Sequence, residues 1–220
     1  MTFAGGMCLN DQPDLVERST NTPTTKEKRP ELPSDNREKI LQAAFAVLSR
    51  QGYENASIKD IAEEAGVAQG LVHYYFKSKQ QLVIAVLFDV CKKMDVYTAE
   101  GAAGAIAAFE NFKVLLRTRA DAHTLYIQLI GVGLHDKEIG AGIRENIRTE
   151  RAHVEDLARQ VLAEREADPR PAGAIAGAVW GGVLGIMVQK MVDPEFNADE
   201  AVDALAAMSL SAVYSTNPGA

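Results

Sequence analysis

The side chains best suited to chemistry lie between Ser57 and Lys79, in the stretch SIKDIAEEAGVAQGLVHYYFKSK. Gln69 carries an amide, whose paired donor and acceptor match the edge of adenine in a DNA major groove. Leu71 offers an apolar surface for a thymine methyl. His73, Tyr74 and Tyr75 bring imidazole or hydroxyl donors for phosphate, together with flat apolar faces. Ser57 stands at the start of the preceding helix, within reach of a phosphate, with Lys59 two residues on. Lys79 opens the following helix, where its ammonium and the helix N-terminus both suit a phosphate oxygen. Amides for base edges and donors for the backbone make up the chemistry of reading duplex DNA.

Two short helices must position these groups. Ser57 and Asp60 have the spacing of an N-terminal cap, with a hydroxyl for the third backbone N–H and a carboxylate at the positive helix end. Ile58, Ile61, Ala62 and Ala65 recur at helical spacing. Gly66 follows where a left-handed helix end favours a residue without Cβ. A second short helix over about Ala68–Tyr74 completes a helix-turn-helix, whose second helix enters the major groove. Val72 is expected to point inward and Phe76 to close the small core. A bracing helix over Asp35–Gln51 presents Ile40, Leu41, Ala44, Phe45 and Leu48, and Gly52 closes it. A connecting helix over about 79–97 carries Leu82, Val83, Val86, Leu87, Val90, Cys91 and Met94. That surface is too broad for one neighbour, so it is expected to touch both domains and link them mechanically.

The segment IAEEAGVAQGLVHYYFKSKQQL resembles the recognition segment of the tetracycline-repressor (TetR) family of transcriptional regulators. The match runs through Ile61-Ala62, Ala65-Gly66-Val67, Gly70, Tyr75-Phe76, Lys77, Lys79 and Leu82. The resemblance implies an operator-binding role for this segment, Gly70 included, and places Lys59 where the family reaches a base or the backbone. It departs from the family at Ala68 and Leu71, where a hydroxyl residue is usual, and at His73, where Tyr is usual. These departures fall among the reading residues and leave the operator sequence open.

The remainder of the chain reads as all helix, with spans near 105–118, 122–135, 138–166, 171–191 and 198–215. Gly101–Gly104 is expected to interrupt the helical pattern. The whole is therefore expected to be all-α, about nine helices. Residues 1–34 form a tail rich in Thr, Pro, Asp and Asn, expected to be disordered. Residues 35–80 form a three-helix DNA-binding domain, and residues 81–220 a helical domain for ligand binding and dimerisation, as the resemblance also implies.

Between Ala172 and Val188 there is no strongly polar residue, and Gly173, Gly177, Gly181 and Gly185 fall four apart. This is the small-residue spacing of helices that approach closely. The stretch is shorter than the ~20 residues a bilayer needs, so the reading is a protein interface and no membrane span. With Leu205 and Met208 on the next helix, the glycines are assigned to a homodimer core of two helices per subunit. A small-molecule effector cavity is expected among Phe109, Phe112, Leu116, Tyr126, Leu129, Ile130, His153, Trp180 and Met187, an apolar lining with a few polar anchors.

Composition sets the outer bounds. The 220 residues carry a net charge of -7, with the acidic excess beyond Thr98, so a DNA reader here needs a local basic face. Two cysteines, Cys8 and Cys91, make no disulfide framework, and no signal layout opens the chain, which reads as cytoplasmic. The four histidines have neither the spacing nor the cysteines of a metal site. No catalytic motif and no cofactor-binding loop appear. The reading is a ligand-responsive transcriptional repressor that binds operator DNA as a homodimer. The competing reading is a helical small-molecule-binding protein or enzyme whose helix-turn-helix is only structural.

Overall fold

A computed structural model describes residues 33–94 and 99–214. Residues 1–32 of the expected tail lie outside the described residues, as does the end of the connecting helix beyond Met94. Among the described residues there are nine helices and no strand. They are α1 (Pro33–Asn55), α2 (Ile58–Glu64), α3 (Gln69–Tyr75), α4 (Lys79–Met94), α5 (Gly101–Thr118), α6 (Ala120–Gly133), α7 (Lys137–Ala163), α8 (Ala172–Val192) and α9 (Ala198–Tyr214).

The capping residues set the geometry of the first three helices. Ser57 Oγ accepts from the Asp60 amide at 3.1 Å, and Asp60 Oδ2 accepts from the Ser57 amide at 3.1 Å, so two orphan donors are satisfied reciprocally. At the other end of α2, Gly66 is left-handed, with φ 65°. The Val67 amide reaches Ala62 O at 3.0 Å and the Gly66 amide reaches Glu63 O at 3.1 Å, the paired bonds of a Schellman turn. That turn directs α3 across α2. Ile40, Leu48, Ile61, Val72 and Phe76 then meet in one buried cluster. In α1, Gly52 (φ 75°, ψ 170°) breaks the helical backbone where the sequence placed the end of the first helix, and a last turn continues to Asn55.

The same cluster runs on through Leu82, Val83, Val86 and Leu87 of α4 into Leu125 and Leu129 of α6 and Ile139 and Ile143 of α7. α1 packs on α6, and α4 packs on both α1 and α7. Glycines allow the closest crossings. A methyl on Gly140 of α7 would sit 2.4 Å from the Gly133 carbonyl oxygen of α6, and one on Gly142 would sit 2.7 Å from Ile84 of α4.

Three expectations are corrected. Gly101–Gly104 opens α5 instead of interrupting the helical pattern. Gly101 takes φ 61°, its amide donates to Gln160 Oε1 at 2.7 Å, and the Ala102 amide donates to Glu164 Oε2 at 3.1 Å, so α7 caps α5 from outside. These glycines fit the tight approach of Ala99 and Glu164. Second, α8 is 21 residues, longer than the uninterrupted apolar stretch, and by length and composition alone it could cross a membrane. Its Ala172, Ala176, Val179, Ile186 and Met187 are buried by the chain itself, and it packs against α7 and α9. Third, the glycine that admits α9 is Gly182, which meets Leu205. Leu205 therefore packs within the chain. Gly177, Gly181 and Gly185 have nothing within 4 Å of an added Cβ, and Gly173 faces only Glu155.

Candidate functional site

The surface around α3 separates exposed residues from buried ones. Val72 is fully buried and Phe76 nearly so, which turns Gln69, Gly70, His73 and Tyr74 to the outside. Tyr74 is 70% exposed despite its size. Its ring meets Tyr75 edge-on at 5.2 Å between centroids. Tyr75 and Leu71 are only half exposed and lean on the core, so each offers one flank to the outside. Gly70 has open space above it, which lets a surface approach the backbone of α3.

Ser57 and Lys59 flank this surface at the start of α2. Lys59 is exposed. Ser57 spends its hydroxyl on Asp60, donating to Oδ2 at 2.7 Å while accepting the Asp60 amide. Its hydroxyl therefore shapes α2 first. This bond, followed by the backbone amide of Ser57, holds the Asp60 carboxyl below the ordinary carboxylate range. A carboxyl with a depressed folded pKa stabilises above its unfolded value, and that contribution fades as the pH falls through the folded one. Ser57→Ala is expected to lower stability by about 0.5–2 kcal/mol. Urea melts at neutral pH and at pH 3 check it: the difference between wild type and variant should shrink at the lower pH.

Lys79 does not point freely outward. Its Nζ donates to the Tyr53 carbonyl and lies 4.2 Å from the centre of the Tyr53 ring. Burial lowers its pKa, against a smaller opposing pull from Glu54. The ammonium thus ties α4 to the end of α1, and a phosphate would have to share it with Tyr53.

The second feature is a cavity of about 150 Å³ enclosed by α4–α8. Phe109, Phe112, Tyr126, Trp180 and Met187 line it, as the sequence suggested. Leu129 instead lies in the core, Ile130 lines a separate groove between α6 and α7, and Leu116 lines an outer cavity beside the α8–α9 turn. His153 is not in the wall. The lining also includes Cys91, Asn111, His123 and Glu150, which the sequence reading did not assign to it. Glu150 was hidden in an alternating Arg/Glu run. The signal that would have found it is the stripe Ile139, Ile143, Asn146, Glu150, all buried on one side of α7. The Tyr126 hydroxyl and Trp180 Nε1 are buried without a hydrogen-bond partner. Burial, the largest cause, raises the Tyr126 pKa and lowers that of His123. Among the described residues no group of His, Cys, Asp and Glu has the arrangement of a metal site.

Residues 40–86, the segment that builds and carries this surface, match the family described as bacterial regulatory proteins, tetR family. This segment of the chain is thus similar to the DNA-binding segment of that family. Among similar proteins, the HTH-type transcriptional regulator YvdT of Bacillus subtilis is 38% identical over 87 residues, covering 40% of this chain and 43% of that protein. The HTH-type transcriptional repressor KstR of Mycobacterium tuberculosis is 33% identical over 92 residues, covering 41% and 42%. The chain thus spans less than half the length of these curated relatives. A TetR-family regulator from Rhodococcus has the same fold over 82% of this chain and 98% of its own, with a TM-score of 0.70 at 19% identity. The tetR-family match ends at residue 86, so the cavity, the glycine face and the second half of α4 lie outside it.

Proposed function

We propose that the protein is a transcriptional repressor that binds operator DNA as a homodimer and releases it when a small molecule occupies the α4–α8 cavity. The observation that carries the reading is α3: Val72 is sealed inside, while Gln69, His73 and Tyr74 stand outside on a helix held by a capped, Schellman-closed turn. A recognition helix needs this division between a fixed inner edge and an exposed outer one. The relatives support it, being transcriptional regulators or repressors by name. The family match over residues 40–86 also favours regulation over catalysis, and an intracellular place beside DNA.

The test is a salt titration of binding to the DNA upstream of its own gene. A reader anchored by phosphate contacts loses affinity steeply with salt. Equal, weak binding to unrelated duplexes would overturn the reading. Gln69→Ala is expected to cost about 1–3 kcal/mol at one base position and little elsewhere. Binding to a panel of single-base operator variants checks it, and a uniform loss would reassign Gln69 to the backbone.

The effector step follows from α4. That helix carries Cys91 in the cavity wall, Lys79 against Tyr53, and Gln80 at 3.4 Å from Asp136, the cap of α7. A ligand that moves α4 moves α1 and α3 with it. By linkage, such a ligand must bind more weakly to the DNA complex than to the free protein. Equal affinities would exclude this coupling.

The dimer reading rests on the outer face of α8 and α9. Gly177, Gly181 and Gly185 are open there, and Met208 is 68% exposed. In an isolated chain Gly177→Ala should stabilise α8 by up to ~1 kcal/mol through helix propensity. If a second copy packs on this face, the added methyl should instead weaken the dimer by about 1–2 kcal/mol, roughly tenfold in dissociation constant. Sedimentation equilibrium of wild type and variant distinguishes the two.

A further inference from the structure

We propose that the groove between α6 and α7 docks an acidic amphipathic helix of a partner protein. The proposal is independent of the effector cavity and of the surface around α3.

The groove begins where the two helices touch. Gly133 and Gly140 meet there, and a methyl on Gly140 would lie 2.4 Å from Gly133 O. From that crossing a space of about 480 Å³ runs along α7 as far as Arg151. At ~1.5 Å per helical residue, Gly140 to Arg151 spans about 16 Å, or about three turns of a helix laid beside it. The apolar surface comes from Ile130 and Leu134 on the α6 side and from Ile143 and Ile147 of α7. Leu134 is 78% exposed, so the chain itself leaves this end of the groove uncovered.

Arg144, Arg148 and Arg151 complete the wall. Their spacing of four and then three puts them in one row along α7. All three are exposed, and among the described residues none of them takes part in an ion pair or a hydrogen bond. Glu155, one turn beyond Arg151, pairs with Arg159 instead. Glu145 is exposed on α7 but stands outside the groove lining, which contains no acidic side chain among the described residues. Between Asp121 and Asp136 the chain has no Asp, Glu, Lys or Arg, so the α6 side brings no charge of its own. The chain as a whole carries a net charge of -7. Three unpaired guanidinium groups in a row beside an apolar floor are a local exception to that balance.

An occupant must therefore bring an apolar ridge for the floor and a line of anions for the row. An amphipathic helix supplies both. Its apolar side chains, three and four residues apart, fill a groove between helices. Carboxylates at the same spacing recur every ~6 and ~4.5 Å along its axis, the interval of the arginine row. Each carboxylate can take two parallel N–H bonds from one guanidinium. A DNA duplex would satisfy the arginines and leave the isoleucines against phosphate. A bilayer surface is flat and would leave the floor uncovered.

The experiment titrates the full chain, by isothermal calorimetry in roughly 0.15 M salt, with three helical peptides of about 18 residues. The peptides share one leucine stripe and carry beside it a row of glutamate, glutamine or lysine. The glutamate peptide is expected to bind at micromolar strength, about tenfold tighter than the glutamine peptide, with the lysine peptide weakest. Arg148→Glu is a surface substitution that leaves folding intact. It should weaken the glutamate peptide about tenfold and strengthen the lysine peptide. Leu134→Ser should weaken the glutamate and glutamine peptides alike. Operator binding, which the proposed function assigns to α3, should be unchanged in Arg148→Glu. Glutamate and lysine peptides that bind equally overturn the proposal, as does a glutamate peptide whose affinity survives Arg148→Glu. No binding of the glutamate peptide at millimolar concentration also overturns it. A loss of operator binding in Arg148→Glu would place the row on DNA and remove the partner helix. Phosphatidylglycerol vesicles that bind more tightly than the glutamate peptide, and lose that binding in Arg148→Glu, would give the row to a membrane surface instead.

Discussion

Leu82→Ala is expected to lower the stability of the chain by about 3 kcal/mol, within the ~2–5 kcal/mol typical of a buried leucine truncated to alanine. Leu82 is 0% exposed and belongs to the same buried cluster as Ile40, Ile61, Val72 and Phe76. Its removal takes apolar surface out of that cluster and leaves a cavity at the root of α4. For a domain of this size such a loss lowers the melting temperature by about 6–12 °C. The loss should appear in the denaturant midpoint with little change in slope. Ile106→Ala, at a half-exposed position on α5, serves as the control and should stay within about 0.5 kcal/mol. A Leu82→Ala loss below about 1 kcal/mol would mean that α4 is not packed as described.

The second large effect is expected from the smallest change. Gly140→Ala adds one methyl, and that methyl would lie 2.4 Å from Gly133 O and 3.4 Å from Gly133 C. The obstacle is backbone, which cannot rotate away, so α6 and α7 must move apart. Overpacking of this kind costs about 1–3 kcal/mol, against a helix-propensity gain of up to ~1 kcal/mol. The expected net is destabilisation and, on the proposed function, weaker operator binding, since Asp136 of the same α6–α7 corner contacts Gln80 of α4. Gly142→Ala is the informative comparison. Its methyl meets only side-chain atoms of Ile84, which have rotamers to use, so it should be milder. Thermal melts of both variants decide the matter. A Gly140→Ala protein as stable as wild type would show that the α6–α7 crossing is looser than its geometry.

The helix-turn-helix segment was legible because its determinants are local. The Ser57–Asp60 cap, the left-handed Gly66 and the alternation of Val72 with its exposed neighbours all act within a few residues, and each appears where its spacing requires. The same locality explains the α7 cap at Asp136, which accepts from the Glu138 and Ile139 amides at 2.9 and 3.0 Å. Side chains with two possible partners were less legible. Ser57 and Lys79 are at positions suited to phosphate, yet Asp60 and the Tyr53 carbonyl hold them in the folded chain. A residue type states what a group can bond, and the fold determines what is near enough to bond it.

The cavity shows the same division over longer distances. Aromatic residues at helical spacing on α5, α6 and α8 announced an apolar interior, and five of the nine named residues meet there. Glu150 and His123 were not assigned to it, because their burial depends on how α7 and α6 are rotated against neighbours distant in sequence.

By itself, the sequence determined the helices, the turn between α2 and α3, and the outward face of Gln69, His73 and Tyr74. Those features arise from hydrogen bonds and apolar periodicity inside one or two turns. Only the tertiary structure decided that the Gly101–Gly104 cluster opens α5, that Gly182 admits α9 while its glycine neighbours stay open, and that Glu150 is the acidic group in an aromatic cavity. Each of these is a close approach between helices far apart in the chain. Such approaches are set by which surfaces fit together at a distance of a few ångströms, and no local pattern encodes that fit.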